Sequence, residues 1–448
     1  MTRRAVPGLS ALLVLTGCSM AGPPPGAPAD VPPPEPTPAE PPVDPLPPPR
    51  ARPPARVERV VPRRFPEVRA LWVVRGTLTD PERIRRMVER ADAAGINALL
   101  VQVRGRGDAY YARALEPRAP ALAGQGDFDP LAVVLEEAHA RGMRVHAWLN
   151  IHLVASAARL PEDPGHVVNA RPDLLAVPRE LARDLYRVDP RDPSYIQALT
   201  RHARENSDRV EGFFTNPAHP EVRKRIREVW MDVVTRYPVD GMHLDYVRYP
   251  LPSYDYSRPS LEAFARWARP RVGPARAGRL AEAAREDPLA WADALPGEWA
   301  RFRREQITRL VDRLYRGTKS VRPDCVVSAA VVPDRLEAYT ARFQDWPGWL
   351  AAGIVDVVAP MAYTPDDGRF RRQIREAVAA AGDPRRVWAG VGTYLAGFEG
   401  TVRKITIARD VGAGGVALFS YDWMVDRGRT GTDEPFLWGV GRRSFGRR

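Results

Sequence analysis

Short apolar runs recur along the second part of the chain at the lengths expected of buried strands. Most are nearly continuous and are bounded by glycine, proline or charged residues, which is the pattern of parallel strands covered on both faces. Eight such runs are present, at residues 69–75, 97–104, 144–150, 240–247, 325–332, 355–363, 387–394 and 414–423.

Helical periodicity separates most of these runs. Residues 80–95 and 129–142 each open with an acidic capping residue and end in glycine, and their apolar positions repeat at helical spacing. The predicted buried faces are Ile84, Met87, Val88 and Ala91 in the first helix and Leu131, Val134, Leu135 and Ala138 in the second.

Eight strand–helix units in succession predict an α/β protein built as a single (β/α)8 TIM barrel. Two long loops follow the third and fourth strands, at residues 151–239 and 251–299, and the first contains a predicted helix near 221–237. A doubly wound open sheet is the alternative, but it normally carries a glycine-rich phosphate loop after its first strand, and the segment VVRGTLTD is not such a loop.

The first 18 residues have the pattern of a bacterial targeting segment. Arg3 and Arg4 precede an apolar run that is too short to span a bilayer. The run ends in LTGC, which resembles a lipobox and implies cleavage before Cys18 and lipidation of its thiol. Because Ser19 follows and not aspartate, the sorting rule of Gram-negative bacteria implies a lipid-anchored protein of the outer membrane, facing the periplasm.

A proline-rich tether is predicted at residues 19–62, followed by the barrel domain at 63–440. Seventeen of the 32 residues from Pro23 to Pro54 are proline, which excludes helix and sheet hydrogen bonding. At about 3.1 Å per residue, this stretch has a reach on the order of 100 Å. A membrane partner is therefore expected at the lipid anchor, and no later segment is long and apolar enough to span a membrane.

Composition excludes several classes of function. The formal net charge is +12, but the basic residues are scattered and no nucleic-acid-binding stripe is evident. Cys325 is the only cysteine after Cys18, so neither an intrachain disulfide of the mature chain nor a cysteine metal site is expected. No cofactor is predicted, and the oligomeric state stays open.

The segment VDGMHLDYVRYP, residues 239–250, carries the most informative polar residues. It reads as a buried strand that ends in Asp245, Tyr246, Arg248 and Tyr249. Charged groups at such a position are costly to desolvate, and the carboxyl ends of barrel strands usually form the active site. The alternative to an active-site role is that Asp245 and Arg248 form a purely structural ion pair.

The other predicted strand ends supply carboxylates, aromatic rings and hydrogen-bond donors, which suits a polysaccharide substrate. Glycosidic cleavage requires two carboxyl groups. We expect Asp245 to be the general acid and Asp422 or Asp367 to be the second carboxylate. The predicted substrate-binding residues are Arg104, Asp108, His146, Asn150, His243 and Arg248, with Trp148, Tyr246, Tyr363 and Trp423 stacking on sugar rings.

Several strings resemble the glycosyl hydrolase-like 10 family, namely VRALWV, NALLVQVRGRGDAYY, VDGMHLDYVRYP and GGVALFSYD. The resemblance runs in order from Arg69 to Trp423 and implies a TIM barrel that acts on carbohydrate, in some members on peptidoglycan glycan strands stripped of their peptides. Asp245 falls on the strand-four aspartate of the family, and Arg104, Asp108, His146 and Asn150 match its polar positions. Tyr246 stands where the family usually has a second acidic residue.

Two other functions stay open at this point. A non-catalytic glycan-binding lipoprotein would keep the barrel as a sugar-binding bowl, and the missing acid beside Asp245 is the feature that favours it. A metal-dependent deacetylase would need a histidine and aspartate cluster, for which His146, His243 and Asp245 are candidates, although no HExxH motif is present.

Overall fold

The computed structural model describes residues 66–428, 430–431 and 434–446. The predicted signal peptide, Cys18 and the proline-rich tether lie outside the described residues and stay predictions. The described residues form one compact unit. Ten strands are present in the described part of the chain: β1 (Val68–Val73), β2 (Ala98–Arg104), β3 (Arg144–Asn150), β4 (Leu153–Ala155), β5 (Phe213–Phe214), β6 (Gly241–Asp245), β7 (Val326–Val331), β8 (Val357–Pro360), β9 (Trp388–Gly392) and β10 (Gly415–Phe419).

Eight of these strands form a parallel, nearly closed barrel, as the sequence predicted. Their order is β8-β7-β6-β3-β2-β1-β10-β9. Between β8 and β9 only two isolated bridges are found, Val358 to Val387 and Met361 to Gly390. All eight predicted strands are confirmed, and the third has the predicted bounds, Arg144–Asn150.

The helices lie between the strands and outside them. Both predicted faces are buried, and the carboxylates of Asp80 and Asp129 cap the first two helices by accepting hydrogen bonds from backbone amides. The helices are α1 (Pro81–Ala93), α2 (Pro130–His139), α3 (Val167–Ala170), α4 (Ala182–Leu185), α5 (Pro193–Glu205), α6 (Pro220–Arg236), α7 (Arg258–Ala268), α8 (Pro274–Glu286), α9 (Ala290–Ala294), α10 (Pro296–Val321), α11 (Arg335–Thr340), α12 (Trp346–Ala351), α13 (Asp367–Ala381), α14 (Thr393–Asp410), α15 (Tyr421–Asp426) and α16 (Phe436–Phe445).

Alternation along each strand divides the core into two layers. Ala70 and Trp72 of β1 point into the barrel, where they pack with Leu100, Trp148 and Trp388. The intervening strand residues pack against the helices in a larger apolar layer. These side chains fill the barrel interior and support the polar groups at the carboxyl ends of the strands.

The two long loops form additional lobes with their own apolar clusters. The first contains β4 and β5, which pair antiparallel, together with α3 to α5, while α6 packs its buried face into the main core of the barrel. The second contains α7 to α9. Asp255, which is fully buried, joins the lobes by accepting hydrogen bonds from the Val177 and Ser257 amides and from the hydroxyls of Ser257 and Ser260.

None of the helices in the described part of the chain is long and apolar enough to cross a membrane.

Candidate functional site

Asp245 is the last residue of β6 and lies at the carboxyl end of the barrel. Register pairs it with Asn150 at the end of β3. Its carboxylate accepts hydrogen bonds from the Trp148 indole (3.1 Å) and from the Tyr246 amide (2.7 Å). Only 7% of the residue is exposed.

Burial raises the pKa of Asp245 to about 6. The Tyr246 amide, the Arg248 guanidinium and the Trp148 indole favour the ionised form but only partly oppose the effect of burial. A carboxyl group with this pKa holds its proton in mildly acidic solution and releases it near neutrality. This behaviour suits a general acid.

A second carboxylate, Glu211, belongs to the same cluster. Its Oε1 accepts a hydrogen bond from Arg248 (2.8 Å), while its Oε2 is buried without a partner among the described residues. Burial is the largest single effect and acts to raise the pKa of Glu211. The charge and hydrogen bond of Arg248, a backbone hydrogen bond and the charge of Arg342 together outweigh it, so that the pKa lies below its usual range. Glu211 also acts electrostatically on Asp245 and raises its pKa further.

The position of Glu211 follows from the backbone of the first lobe. Backbone hydrogen bonds tie Ile151 to Asp245, so that the chain runs from β3 into β4 beside β6. Gly212, at φ 146°, allows β5 to approach β4, because a Cβ there would clash with the Ala155 carbonyl oxygen. The side chain that precedes this glycine therefore lies beside the end of β6.

Tyr246 adopts the left-handed backbone conformation (φ 49°), which is uncommon for a residue with a side chain. Its ring is held between Phe214 (6.0 Å between centroids) and the Arg248 guanidinium (4.8 Å). Strained backbone of this kind is often found at functional sites.

Five aromatic residues form one wall of the barrel mouth, called here the aromatic wall. Tyr363 stacks on Phe419 at 5.5 Å, and Tyr394, Trp72 and Trp148 meet these rings edge-on. Tyr363, Tyr394 and Phe419 are half-buried. Burial and the nearby charge of Asp245 raise the pKa of Tyr363 well above its usual value, so the phenol stays neutral.

Arg104 and Asn150 support the strand ends. The Arg104 guanidinium forms a bidentate ion pair with Glu116 (2.6 and 2.7 Å) and donates to the carbonyls of Asn150 and Ile151. Asn150 accepts from the Trp148 indole and donates to the Gly105 carbonyl. The sequence predicted that Arg104 and Asn150 bind sugar hydroxyls, but in the structure their polar groups bind other residues of the protein. Contact of either residue with substrate stays a prediction.

His146 and His243 lie inside the barrel, below the mouth, and both are fully buried. Because the Trp72 indole only donates, His243 Nε2 accepts its hydrogen bond (3.1 Å) and Nδ1–H donates to Ser328. His146 packs edge-on against Trp388. Burial lowers the pKa of each histidine to about 3, so both are neutral, and neither is brought into the cluster around Asp245.

Asp422 hydrogen-bonds to the turn that follows β1. Its oxygens accept hydrogen bonds from the Val74 amide (2.9 Å) and the Thr77 hydroxyl (2.5 Å), which joins α15 to the end of β1. Burial raises its pKa. The structure shows no contact between Asp422 and Asp245, and its predicted catalytic role stays a prediction.

Asp367, the other predicted second carboxylate, begins α13 and forms ion pairs with Lys404 (2.5 Å) and Arg403 (3.0 Å) of α14. These two cations outweigh partial burial and lower the pKa of Asp367. Lys404 is 1% exposed, so the Asp367 carboxylate is its counter-ion, which gives the pair a structural role within the fold.

Asp108 and Trp423 are both outside the aromatic wall. Asp108 is half-buried, accepts a hydrogen bond from the Arg106 amide (2.7 Å) and interacts electrostatically with that arginine near Tyr246. Trp423 packs edge-on against Phe436 of α16, the C-terminal helix of the described chain. Of the predicted residues, Trp148, Tyr246, Arg248 and Tyr363 are brought together with Asp245.

Glu211, Arg106 and Phe419 are among the residues of the site that the sequence prediction missed. Glu211 lies in a long loop without strand alternation, and its only local signal is the charge that precedes Gly212 and two phenylalanines. Across the described ranges, no group of three or more histidine, cysteine, aspartate or glutamate side chains is placed to hold a metal ion.

Comparison with known proteins agrees with this architecture. The profile of the family described as glycosyl hydrolase-like 10 matches residues 67–383. The chain is 27% identical over 301 residues to the glycosyl hydrolase DigH of Escherichia coli K12, covering 62% of this chain and 58% of DigH. It is 23% identical to the glycosyl hydrolase YngK of Bacillus subtilis over 303 residues, or 62% of this chain and 48% of YngK. The matched region thus spans about half the length of these relatives.

Solved structures share the fold. The glycoside hydrolase domain of PgaB (BpsB) from Bordetella bronchiseptica aligns with a TM-score of 0.55 at 17% identity, covering 81% of this chain and 96% of that domain. A β-galactosidase from Rahnella sp. R3 aligns with a TM-score of 0.57 at 16% identity, covering 86% of this chain and 57% of the other. At these identities, the likeness to a glycoside hydrolase domain and to a β-galactosidase shows a common fold.

Proposed function

Because the chain belongs to the glycosyl hydrolase-like 10 family, we propose that it is a glycoside hydrolase that cleaves a cell-envelope polysaccharide, and that its substrate is the glycan strand of peptidoglycan. The observation that carries the proposal is the pair formed by Asp245 and Glu211. Their environments shift the two pKa values in opposite directions at the mouth of a TIM barrel.

Asp245 acts as the general acid in this proposal. It stays protonated below about pH 6 because it is buried between the Trp148 indole and the β6 backbone. When the glycosidic bond between the anomeric carbon and the leaving oxygen breaks, Asp245 donates its proton to that oxygen. The leaving sugar departs as a neutral alcohol and Asp245 becomes a carboxylate.

Glu211 is the ionised partner. The Arg248 guanidinium holds it as a carboxylate, with one buried oxygen that accepts no hydrogen bond from a described group. Such an oxygen suits the stabilisation of positive charge at the anomeric carbon, followed by uptake of the proton that the attacking water releases. The aromatic wall supplies half-buried rings on which a pyranose face stacks.

The first prediction concerns both carboxylates. Asp245→Asn and Glu211→Gln should each lower the release of new reducing ends from purified peptidoglycan glycan strands by about 10² to 10⁴-fold, because amides neither donate a proton in this way nor carry charge. The assay compares strands with and without peptide stems. Circular dichroism spectra of both variants should match that of the wild type.

Asp422→Asn and Asp367→Asn test the two carboxylates predicted from the sequence. If either of these abolishes reducing-end release while Glu211→Gln retains it, Glu211 is not the partner. If the wild type binds the strands but releases no reducing ends from any substrate, the non-catalytic glycan-binding function is supported and hydrolysis is excluded.

A further inference from the structure

Arg75 and Arg106 approach each other at the end of β2, beside the catalytic pair. Arg75 begins the turn after β1 and extends over Gly105, where an added Cβ would clash with the Arg75 side chain. Its guanidinium donates to Gln102 Oε1 (3.1 Å) and hydrogen-bonds the Tyr110 hydroxyl. Neutral partners therefore hold Arg75 in place, and no carboxylate pairs with it among the described residues.

Arg106 follows Gly105 directly. Its backbone is fixed by the Asp108 carboxylate at its amide (2.7 Å) and by His166 Nε2 at its carbonyl (2.8 Å). In contrast, no ion pair or hydrogen bond to the Arg106 guanidinium is found within the described part of the chain. The side chain is half-buried and acts electrostatically on Tyr246 and Glu211. It also lines a cavity of about 250 Å³ together with Asp108, Val154 and His166.

Two partly buried cations near one another are unfavourable unless an anion lies between them. Burial and the charge of Arg75 lower the pKa of Arg106, while Asp108 and Glu211 act in the opposite direction. Glu211 is already paired with Arg248, and Asp108 is bound to backbone. Two other carboxylates line the cavity, but Glu162 is paired with Arg159 and Asp163 accepts from the Gly165 amide. A carboxylate of the ligand is therefore the group that this pair lacks.

We propose that Arg75 and Arg106 form a subsite for a carboxylate carried by the sugar next to the scissile bond. Guanidinium groups bind carboxylates through short, charge-assisted hydrogen bonds. The inference rests on the proposed function, since it places an acidic glycan in the same mouth. The carboxylate is either a lactyl ether group, as on a muramic acid residue, or that of a hexuronic acid.

Binding without turnover tests the subsite. The Asp245→Asn chain is titrated calorimetrically with peptide-free muramic acid oligosaccharides, with the same oligosaccharides after conversion of their carboxylates to methyl amides, and with oligogalacturonate. Arg75→Gln and Arg106→Gln are introduced separately into this background. Arg279→Gln, on the exposed surface of α8, removes the same charge elsewhere and serves as the matched control.

We expect the parent chain to bind one of the two acidic ligands at least about tenfold more tightly than the amidated oligosaccharide. Each arginine variant should lose most of this preference, and Arg279→Gln should keep it. The acidic ligand that shows the effect identifies the source of the carboxylate. Equal affinity for acidic and amidated strands, no binding of either acid, or a preference that survives both substitutions would overturn the proposal. A wild type that binds selectively but releases no reducing ends would refute hydrolysis alone.

Discussion

At the scale of single residues, the site depends on how one carboxyl group is solvated. The Asp245 carboxylate accepts hydrogen bonds from an indole and an amide and lies near a guanidinium. The effect of burial on its pKa is larger than theirs, so that the pKa is about 6. The three groups favour the ionised form. Removing one of them should therefore raise this pKa further and extend the pH range in which the acid is protonated.

The Trp148→Phe substitution tests this relation. In the wild type, kcat/KM should fall as pH rises through about 6, because the general acid is then lost. Without the indole hydrogen bond, the pKa of Asp245 should rise and this alkaline limb should move upward by about half a pH unit. The measurement is the pH profile of kcat/KM.

Trp72→Phe is the matched control for that profile. It removes an indole from the same aromatic wall, but one that donates to His243 and not to Asp245. The alkaline limb should stay at its wild-type position in this variant. An equal displacement in both variants would mean that general packing, and not the hydrogen bond, governs the pKa.

The residue scale also shows what a sequence reveals of such a site. Asp245 was found because it ends an apolar strand, and Tyr363 because it follows one. Glu211 has no such local marker, since its place depends on β5 pairing with β4. The hydrogen bond between Thr77 and Asp422 joins residues that are 345 positions apart. A periodic sequence pattern cannot reveal a contact over such a separation.

At the scale of elements, strands and helices were predictable and the lobes were not. Apolar runs mark the eight barrel strands, and Asp80 and Asp129 mark helix starts through their capping chemistry. The lobes are organised by buried polar contacts. Asp255 links them by accepting a hydrogen bond from the Val177 amide of the first lobe, and it accepts three more within the second lobe. A sequence pattern contains no sign of such a link.

The Asp255→Ala substitution should lower the free energy of unfolding by about 3 kcal/mol, because it leaves the Val177 and Ser257 amides and the Ser257 hydroxyl buried without acceptors. Urea denaturation measures the effect. Asp287→Ala is the control, since Asp287 joins the same two lobes through an exposed ion pair with Arg183. Its loss should cost less than about 1 kcal/mol, and equal losses would argue against a special role for Asp255.

At the scale of the whole molecule, the acid that serves the reaction weakens the fold near neutral pH. Its pKa is raised in the folded state, so between about pH 4 and pH 6 the native protein holds a proton that the unfolded chain has released. Stability contributed by this proton is present at low pH and is lost as pH rises through about 6. Function and stability thus place opposite demands on Asp245.

Asp245→Asn should therefore stabilise the protein selectively. At pH 8 the free energy of unfolding should exceed that of the wild type by on the order of 2 kcal/mol more than at pH 4. Urea denaturation of both proteins at the two pH values provides the comparison, in which titrating groups that do not interact with Asp245 cancel. The same difference at both pH values would contradict the assignment of a raised pKa.

The closure of the barrel has a mechanical consequence for the cleft. Between β8 and β9 the ladder is reduced to two bridges, so this joint has the fewest backbone bonds to resist separation. Tyr363 follows β8 and Tyr394 follows β9, and their rings meet at 6.0 Å directly above the joint. A slight parting of these two strands would widen the aromatic wall. Asp245 ends β6, which β7 separates from this joint and which pairs with β3 and β7 along both edges. The aromatic wall therefore stands on the joint with the fewest backbone hydrogen bonds, whereas Asp245 stands on a strand that is paired along both edges.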